Sequence, residues 1–481
     1  MKKLAAVLAI ALSLTGGAAA YASTSPAPEP CSDLPGARCG SVTVPLDRAN
    51  PRAGTTTVAY VLVPRREQDK PSLGTIVPNP GGPGTSTIDL TGKDFAAALD
   101  PILDRRDLLL IDPRGVGRSD PLSCPALAGP DPVFQGLEAQ RRAIGDCGRQ
   151  LGAKARYYGT AAVADDVDDV RESLGLDRLD LLGVSYGTYL MPVYAQRHPR
   201  HVRSITLAGA YAVNGETSEA VAATALRRAI TLVCARTGAC EGKTVLRDLG
   251  ELATRLRKDP TTVDVEYGTK THRVVLDEWA LAGAVGKMYS VKPNETAQLG
   301  LARAVAEARR GNLEPIRDVV RAHLVTEAET VEIGPQGVSI PLSWATSCHD
   351  YPRVFDYGDR PAERRRDYER HVARLDPRDF APFSPRAWVT RTAFDTGACL
   401  RWPDDPTAKP PFAPGARLPD VPVLVLSGDL DANTPTASGR AAAAQFRHAR
   451  VVEVTGAGHT PVQMPEGLRL ALEFIVDPGR R

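Results

Sequence analysis

The stretch LDLLGVSYGTYLMPVYAQRHP, from Leu179 to Pro199, decides the fold of this chain. It begins like a buried strand and ends with the pattern of a helix. Between the two lies Gly183-Val184-Ser185-Tyr186-Gly187, a serine with a glycine two positions away on each side. A G-x-S-x-G run between a strand and a helix is typical of a sharp turn that exposes a serine oxygen above the strand ends. Ser185 is therefore a candidate nucleophile.

The rest of the chain alternates strand-like and helical segments. Several of the strand-like segments are continuous Val, Leu and Ile runs, which suits strands buried on both faces of a parallel sheet. This alternation predicts an α/β fold with a mostly parallel, eight-stranded sheet. The eight predicted strands are residues 41–46, 56–63, 74–77, 107–111, 179–182, 204–207, 421–426 and 451–454.

A long interval interrupts the alternation before the last two strands. Completing the sheet needs far fewer residues than this interval holds, so roughly 180 residues are extra, given usual helix and loop lengths. Their helical patterns, at 218–236 and 295–309 for example, predict a mostly helical cap at residues 214–400. The core then consists of two parts, residues 41–213 and 401–481.

The N-terminus has the pattern of a secretory signal peptide. Lys2 and Lys3 precede an apolar run that ends near Leu14, and an A-x-A cleavage site occupies residues 20–22. We expect residues 1–22 to be removed after Ala22 and residues 23–40 to form a flexible segment. A retained anchor is the alternative. No other segment is long and apolar enough to span a bilayer, which predicts a secreted protein without a membrane association after cleavage.

Composition excludes several classes of partner. Apolar residues make up 43% of the 481 residues, enough for a sizeable core. The net charge is +2 and no basic run occurs, which argues against nucleic acid and against an anionic membrane surface. The acidic run at residues 165–169 favours a solvated helix face over a calcium site.

Eight cysteines in an exported chain indicate disulfides. Local spacing favours pairing between neighbours. A zinc site is disfavoured because the chain contains no C-x-x-C pair and no H-E-x-x-H, so no metal and no cofactor are expected. The predicted pairs are Cys31–Cys39, Cys124–Cys147, Cys234–Cys240 and Cys348–Cys399.

A nucleophilic serine needs a base, and the base needs an orienting acid. After strand–turn–helix motifs of this kind the acid and the histidine follow in that order. VPVLVLSGDLDANTP, at 421–435, offers two candidate acids after a strand, Asp429 and Asp431. VVEVTGAGHTPVQMP, at 451–465, offers His459 in a glycine-rich loop after the last strand.

The transition state of acyl transfer also needs N–H donors for its negative oxygen. One donor should be the backbone N–H of Tyr186, directly after the nucleophile. The other should come from the loop VPNPGGPGTSTID, at 77–89, where Gly81, Gly82 and Gly84 allow the backbone to approach a substrate.

These motifs together resemble the tripeptidyl aminopeptidase group of α/β-hydrolases, secreted serine peptidases related to prolyl iminopeptidase. The resemblance is carried jointly by NPGGPGTS, LLLIDPRGVGRSDPLSCP, GVSYGTYLMPVYAQRHP, GDLDANTP and GAGHTP, and it covers nearly all of the mature chain. It implies an α/β-hydrolase fold with a large cap insertion and a C-terminal part that holds the acid and the histidine.

The resemblance also assigns individual residues. The family pattern G-x-x-D-x-x-T-P selects Asp431 over Asp429, and the resemblance implies Gly82 and Tyr186 as the oxyanion donors. The segments SWATSCHD and GACLRWP resemble the family's late cysteine motifs, which supports the pair Cys348–Cys399. Asn79 and Thr85 depart from the family, where histidine and glycine are common, and this puts the fit of substrate near the loop in doubt.

We therefore predict a secreted serine exopeptidase that releases short peptides, such as tripeptides, or residues from free N-termini through an acyl-enzyme. A site that reads a substrate ammonium needs an acidic group, and Asp350 and Glu216 are candidates. A carboxylesterase or amidase acting on a hydrophobic small molecule is the alternative. A non-catalytic binding protein is disfavoured because no catalytic residue is missing. The sequence leaves the oligomeric state open.

Overall fold

The computed structural model describes residues 28–32, 34–213, 219–290, 293–391, 396–412 and 417–479. The predicted signal peptide, residues 1–22, and the candidate acid Glu216 lie outside the described residues. Within them, no helix has both the length and the apolar character needed to cross a bilayer.

A nine-stranded sheet forms the centre of the molecule, in the order β1-β2-β3-β5-β4-β6-β7-β10-β11. The six strands from β5 to β11 are parallel, and β1, β2 and β3 pair antiparallel at one edge. The bounds are β1 (Glu29–Pro30), β2 (Arg38–Pro45), β3 (Thr55–Val63), β4 (Thr75–Asn79), β5 (Asp107–Ile111), β6 (Leu179–Val184), β7 (Val202–Ala208), β10 (Val423–Gly428) and β11 (Ala449–Val454).

This sheet confirms the predicted mostly parallel α/β architecture. All eight predicted strands are present, and the additional strand, β1, has only two residues. The prediction of a flexible segment at residues 23–40 is corrected for its described part, because β1 pairs there with the start of β2 and Cys31 is bonded to Cys39. Every residue of β4, β5, β6 and β10 is buried, as continuous apolar runs covered by helices on both faces should be. Because the six strands from β5 to β11 are parallel, their carboxyl ends share one edge of the sheet, where the loops after them meet.

Helices cover both faces of the sheet and fill the interval between β7 and β10. The helices outside this interval are α1 (Gly92–Leu99), α2 (Asp131–Phe134), α3 (Leu137–Leu151), α4 (Thr160–Ser173), α5 (Gly187–Arg197), α15 (Thr436–Ala443) and α16 (Pro465–Val476). The helices between β7 and β10 are α6 (Glu219–Thr237), α7 (Gly242–Lys258), α8 (Glu278–Met288), α9 (Glu295–Arg309), α10 (Glu314–Glu332), α11 (Ile340–Asp350), α12 (Pro361–Arg374), α13 (Pro377–Phe380) and α14 (Pro385–Val389).

The segment between β7 and β10 is mostly helical, with one addition that the sequence analysis missed. Strands β8 (Thr261–Tyr267) and β9 (Lys270–Leu276) form a separate antiparallel hairpin there. Its signal in the sequence was the alternation of apolar and acidic residues at 263–266, followed by Gly268 as a turn residue. Helices α6 to α10 and this hairpin share one apolar core, which also includes Leu430 and Ala432 from the loop after β10. The cap core thus extends to the loop that holds the candidate acids.

The cysteines pair as the spacing predicts, and no cysteine in the described residues is free. Two of the bonds lie within the predicted cap, since Cys234 is in α6 and Cys348 is in α11. The four disulfides are Cys31–Cys39, Cys124–Cys147, Cys234–Cys240 and Cys348–Cys399.

The acidic run at residues 165–169, in the middle of α4, corrects the prediction of a solvated face. Asp166 is 1% exposed and forms a bidentate ion pair with Arg114, whose side chain is fully buried. Asp165 pairs with Arg197, and Asp168 pairs with Arg171. The run binds α4 to its neighbours through Asp165 and Asp166, whereas the pair of Asp168 with Arg171 lies within α4 itself. In the described part of the chain, no group of side chains could hold a metal ion.

Candidate active site

The turn between β6 and α5 has the geometry that its glycines suggest. Ser185 has a φ of +53°, a left-handed conformation that non-glycine residues adopt rarely and at a cost in energy. A Cβ on Gly183 would lie 2.3 Å from the carbonyl oxygen of Gly187, and one on Gly187 would lie 2.6 Å from that of Asn79. The two flanking glycines are therefore required by close backbone contacts on either side of the serine.

Ser185, His459 and Asp431 lie together at the carboxyl ends of β6, β11 and β10. The Nε2 atom of His459 is 2.8 Å from the Oγ of Ser185, and its Nδ1 is 3.2 Å from Oδ2 of Asp431. Asp431 is 2% exposed and His459 is 9% exposed. A histidine bonded on both sides in this way can take the serine proton at one nitrogen while the carboxylate orients the other.

Four contacts hold the carboxylate of Asp431 in place. Its Oδ1 accepts hydrogen bonds from the backbone N–H groups of Asn433, at 2.7 Å, and Thr434, at 3.1 Å. Its Oδ2 accepts the hydroxyl of Thr434 at 2.9 Å and faces His459. The D-x-x-T spacing selects Asp431 for a physical reason, since the turn wraps its own donors around this side chain.

Thr434 also contacts the histidine directly, which the sequence analysis did not foresee. Its Oγ1 is 2.9 Å from Nδ1 of His459, closer than Asp431. Because the hydroxyl proton goes to Asp431, the threonine oxygen is free to accept from Nδ1–H. The Nδ1–H of His459 therefore has two acceptors, the hydroxyl oxygen of Thr434 and the carboxylate of Asp431. Asn433 adds a side-chain contact, with Nδ2 at 3.3 Å from Nε2 of His459.

The other candidate acid, Asp429, has a structural role. Its carboxylate forms an ion pair with Arg236 of α6 and accepts the backbone N–H of Gly456 at 2.8 Å. It is 5% exposed and is not bonded to His459. Asp429 thereby fastens the first cap helix to the loop that carries the histidine.

The glycine loop after β4 lies against the nucleophile. A Cβ on Gly81 would lie 2.8 Å from the Cβ of Ser185, and the N–H of Gly81 is bound by Oδ1 of Asn79 at 3.1 Å. By contrast, the N–H groups of Gly82 and Tyr186 meet no acceptor among the described residues. These are the two donors that the sequence analysis named for the oxyanion. Asn79, which departs from the family pattern, positions the loop.

Asp112, which follows β5, binds this loop through hydrogen bonds. Oδ1 of Asp112 accepts the hydroxyl of Ser86 at 2.8 Å and the N–H of Ile88 at 3.0 Å. Burial raises the pKa of Asp112 above its usual range, although these hydrogen bonds favour its charged form. On the other side, Ser343 of α11 donates its hydroxyl to the carbonyl of Pro83. Asp112 is the first residue of the D-x-R-G-x-G-x-S run at Asp112–Ser119, and this run thus supports the loop after β4.

Asp350, a candidate for ammonium binding, is buried and bonded to other residues of the chain. It is 1% exposed, and its Oδ2 accepts the N–H of Thr160 at 2.6 Å. Its Oδ1 faces Nδ1 of His349 at 2.6 Å. The expectation that Asp350 meets a substrate ammonium is corrected by this burial, because the carboxylate is already enclosed by donors of the chain itself.

Comparison with known proteins agrees with this geometry. A model of the alpha/beta hydrolase fold matches residues 74–299, and a model described as TAP-like protein matches residues 385–467. The chain is an α/β-hydrolase with a TAP-like C-terminal part.

Two curated relatives of this α/β-hydrolase are peptidases by name. Serine protease Hip1 of Mycobacterium tuberculosis is 29% identical over 458 residues, which cover 89% of this chain and 82% of that protein. Tripeptidyl aminopeptidase of Streptomyces lividans is 34% identical over 186 residues, 35% of this chain and 34% of that protein. Among solved structures, proline iminopeptidase of Mycobacterium smegmatis is 16% identical and covers 91% of this chain and 98% of its own, with a TM-score of 0.41. The two curated relatives support a serine hydrolase of the peptidase type.

Proposed function

We propose that this α/β-hydrolase is an exported serine exopeptidase that releases short peptides, such as tripeptides, from free N-termini. The observation that carries the proposal is the 2.8 Å contact between Ser185 Oγ and His459 Nε2, beside two N–H groups without an acceptor among the described residues. The likeness to Hip1 and to tripeptidyl aminopeptidase supports a peptide as the substrate.

Acylation begins at Ser185. Its oxygen attacks the carbonyl carbon of the scissile peptide bond while Nε2 of His459 takes the hydroxyl proton. The negative oxygen that forms accepts the N–H groups of Gly82 and Tyr186. His459 then gives its proton to the leaving amine, the C–N bond breaks, and the acyl group remains on Ser185 as an ester.

Deacylation uses the same groups in reverse. Water attacks the ester carbonyl as His459 takes one of its protons. The ester bond to Ser185 breaks, and His459 returns the proton to the serine oxygen. Throughout, Asp431 accepts from the Nδ1 side, which keeps Nε2 free to act as the base and stabilises the imidazolium when it forms.

Glu216 remains the candidate for binding the substrate ammonium. It belongs to residues 214–218, outside the described residues, but the chain just before it is well placed. A Cβ on Gly209, directly after β7, would lie 3.2 Å from Nδ1 of His459. The described segment that precedes Glu216 therefore starts beside the catalytic histidine, and an ammonium bound out of water needs a partner charge of the kind that a glutamate supplies.

Export is supported by the disulfides and by the N-terminal pattern. Four disulfides are typical of proteins that mature in an oxidising compartment. The Lys-Lys start, the apolar run and the A-x-A site supply the features of a cleaved signal. N-terminal sequencing of the protein recovered outside the cell should give a chain that starts close to Ser23.

One comparison of substrates tests the exopeptidase assignment. A free tripeptide p-nitroanilide and its N-acetylated form differ only in the terminal charge. Acetylation should lower kcat/KM on the order of a hundredfold, the size of a buried charged contact of about 3 kcal/mol. Ser185→Ala provides the baseline and should lose activity by several orders of magnitude with both substrates. Equal rates for the two peptides would reject the exopeptidase and favour an esterase or amidase.

A pair of glutamate variants then tests the binding residue. Glu216→Gln should raise KM for the free tripeptide and bring it toward the value for the acetylated one. Glu251→Gln, an exposed carboxylate on α7, is the matched control and should leave both values unchanged. If Glu216→Gln keeps the full preference for the free N-terminus, another group binds the ammonium.

A further inference from the structure

A continuous line of hydrogen bonds runs from Asp350 to the residue that follows the nucleophile. Oδ2 of Asp350 accepts from Thr160, both from its N–H, at 2.6 Å, and from its hydroxyl. The same threonine hydroxyl is 2.8 Å from the phenol oxygen of Tyr186. None of the three side chains is more than 3% exposed. The line therefore lies in the interior, and solvent does not replace its members.

The carboxylate sets the direction of every bond in this line. An ionised carboxylate only accepts, so the Thr160 hydroxyl donates its proton to Asp350. The threonine oxygen then accepts, and the phenol of Tyr186 donates to it. Burial, with the nearby charge of Asp350 adding to it, raises the pKa of Tyr186 well above its usual range, so the phenol keeps the proton that it donates.

Asp350 itself is fixed by two helices, α11 and α4, that do not belong to the nucleophile turn. It is the last residue of α11, next to Cys348, whose disulfide to Cys399 ties that helix down. Thr160 is the first residue of α4, where a carboxylate suits the helix dipole. Oδ1 of Asp350 is held by His349 at 2.6 Å. Through these hydrogen bonds, α11 and α4 fix the position of the Tyr186 ring.

The ring of Tyr186 is attached to the peptide group that the mechanism uses. Its backbone N–H is one of the two donors assigned to the oxyanion, and the residue sits between strained Ser185 and helix α5. In a water-excluded site, donors must be in place before charge develops, and small displacements reduce their effect. We propose that Asp350 and Thr160 are positioning residues that hold Tyr186, and with it the oxyanion N–H, in the geometry of the transition state.

Two threonine variants separate this role from packing. Thr160→Val removes the hydroxyl and keeps the shape, whereas Thr160→Ser keeps the hydroxyl and removes a methyl group. With a p-nitrophenyl ester, Thr160→Val should lower kcat and kcat/KM equally, by about tenfold, because the contact matters only in the transition state. That is less than the loss of about 10²–10³ from deleting an oxyanion donor. Thr160→Ser should stay within about twofold of the wild type.

Tyrosine variants supply the matched control. Tyr186→Phe removes the other end of the line and should resemble Thr160→Val, and the double variant should be no worse than either single one. Tyr194→Phe removes another phenol bond to α4, since the phenol of Tyr194 in α5 contacts Asp168 of α4 at 3.0 Å. Its kcat should not change, even if its melting temperature falls as far as that of Tyr186→Phe.

A transition-state analogue gives a second readout that packing alone would not move. A boronic acid places a tetrahedral oxygen near the oxyanion donors, so Thr160→Val should weaken its binding by the same factor as kcat/KM. The proposal rests on Ser185 as the nucleophile but not on peptide specificity, because the ester and the boronate lack a substrate ammonium. Equal losses in Thr160→Ser and Thr160→Val, or an unchanged Thr160→Val, would overturn the positioning role and leave the exopeptidase proposal standing.

Discussion

At the scale of single residues, the site depends on where a side chain is absent. Gly187 has an ordinary φ, but a Cβ there would lie 2.6 Å from the carbonyl oxygen of Asn79. That asparagine also holds Gly81, whose neighbour Gly82 provides a proposed oxyanion donor. A Cβ at position 187 would therefore displace both the nucleophile turn and the loop after β4.

Substitution of this glycine should affect activity and stability together. Gly187→Ala should lower kcat/KM by about a hundredfold, the cost of a displacement of about 1 Å in an active site, and destabilise the fold by about 1–3 kcal/mol. Gly300→Ala is the control, since Gly300 lies in α9 with open space around its Cβ position. It should stabilise the protein by about 0.5–1 kcal/mol. Esterase assays and urea unfolding of both variants provide the measurement.

The two neighbouring aspartates differ in their partners, and their asparagine variants should differ in effect. Asp431→Asn should lower kcat by about 10⁴-fold, because the amide disturbs the tautomer of His459. Asp429→Asn removes an ion pair with Arg236 but can still accept the N–H of Gly456, so activity should stay within about tenfold. A larger loss in the Asp429 variant than in the Asp431 variant would contradict the assignment of the acid.

At the scale of elements, ion pairs fasten helices that the sheet alone would leave loosely held. Helix α6 is fixed to the loop after β10 through Arg236 with Asp429, and to strand β11 through Arg228 with Glu453. Helices α4 and α5 are joined by Asp165 with Arg197 and by the contacts of His198. These pairs explain why charged residues recur on helix faces that a periodic reading would assign to solvent.

His198, which contacts Asp165 and Asp168, predicts a dependence of stability on pH. Burial lowers the pKa of His198, but hydrogen bonds and charges from Asp165 and Asp168 outweigh it and raise the pKa to about 9. The folded pKa thus exceeds the ordinary value of about 6.5, so the stabilisation is complete below about pH 6.5 and is lost as pH rises through about 9.

A histidine variant isolates this contribution. The melting temperature of the wild type should fall between pH 6.5 and 9, and His198→Gln should show a smaller fall over the same interval. His448→Gln, which replaces an exposed histidine near Asp420, should keep the wild-type slope. Calorimetry at the two pH values decides the question, and equal slopes for all three proteins would assign the pH dependence elsewhere.

At the scale of the whole molecule, the disulfides constrain segments of very different length. The Cys348–Cys399 bond closes a separation of 51 residues, while Cys234–Cys240 closes only 6. The long bond joins α11, which supports both the oxyanion loop and Tyr186, to the segment that follows α14. Removal of the Cys348–Cys399 disulfide should therefore lower activity as well as stability.

Loop length sets the expected cost of each disulfide. Replacing Cys348 and Cys399 by alanine should lower the free energy of unfolding by about 4 kcal/mol, and replacing Cys234 and Cys240 by about 2 kcal/mol, in the chain-entropy model. Urea unfolding measures both. Denatured, unreduced protein should contain no reactive thiol, and peptide mapping should join Cys348 to Cys399. A peptide joining Cys234 to Cys348 would contradict the pairing.

The sequence by itself determined the features whose partners are near in the chain or follow a fixed order. The glycines around Ser185, the D-x-x-T turn of Asp431, the loop of His459 and the neighbouring cysteines are all local patterns. Strand order then brings the ends of β6, β10 and β11 to one edge, since parallel strands share their carboxyl edge. The sheet, the cap segment and the contact between Ser185 and His459 could be predicted for this reason.

Only the tertiary structure decided the contacts between segments that no local pattern relates. Asp350 and Thr160 are separated by 190 positions, and Asp166 and Arg114 by 52. Whether a carboxylate faces a substrate, a solvated surface or a buried helix end depends on how cap and sheet pack, which periodicity does not encode. The sequence made Asp350 a candidate for the substrate pocket, whereas the structure encloses its carboxylate between Thr160 and His349, because the packing of α11 on α4 buries it.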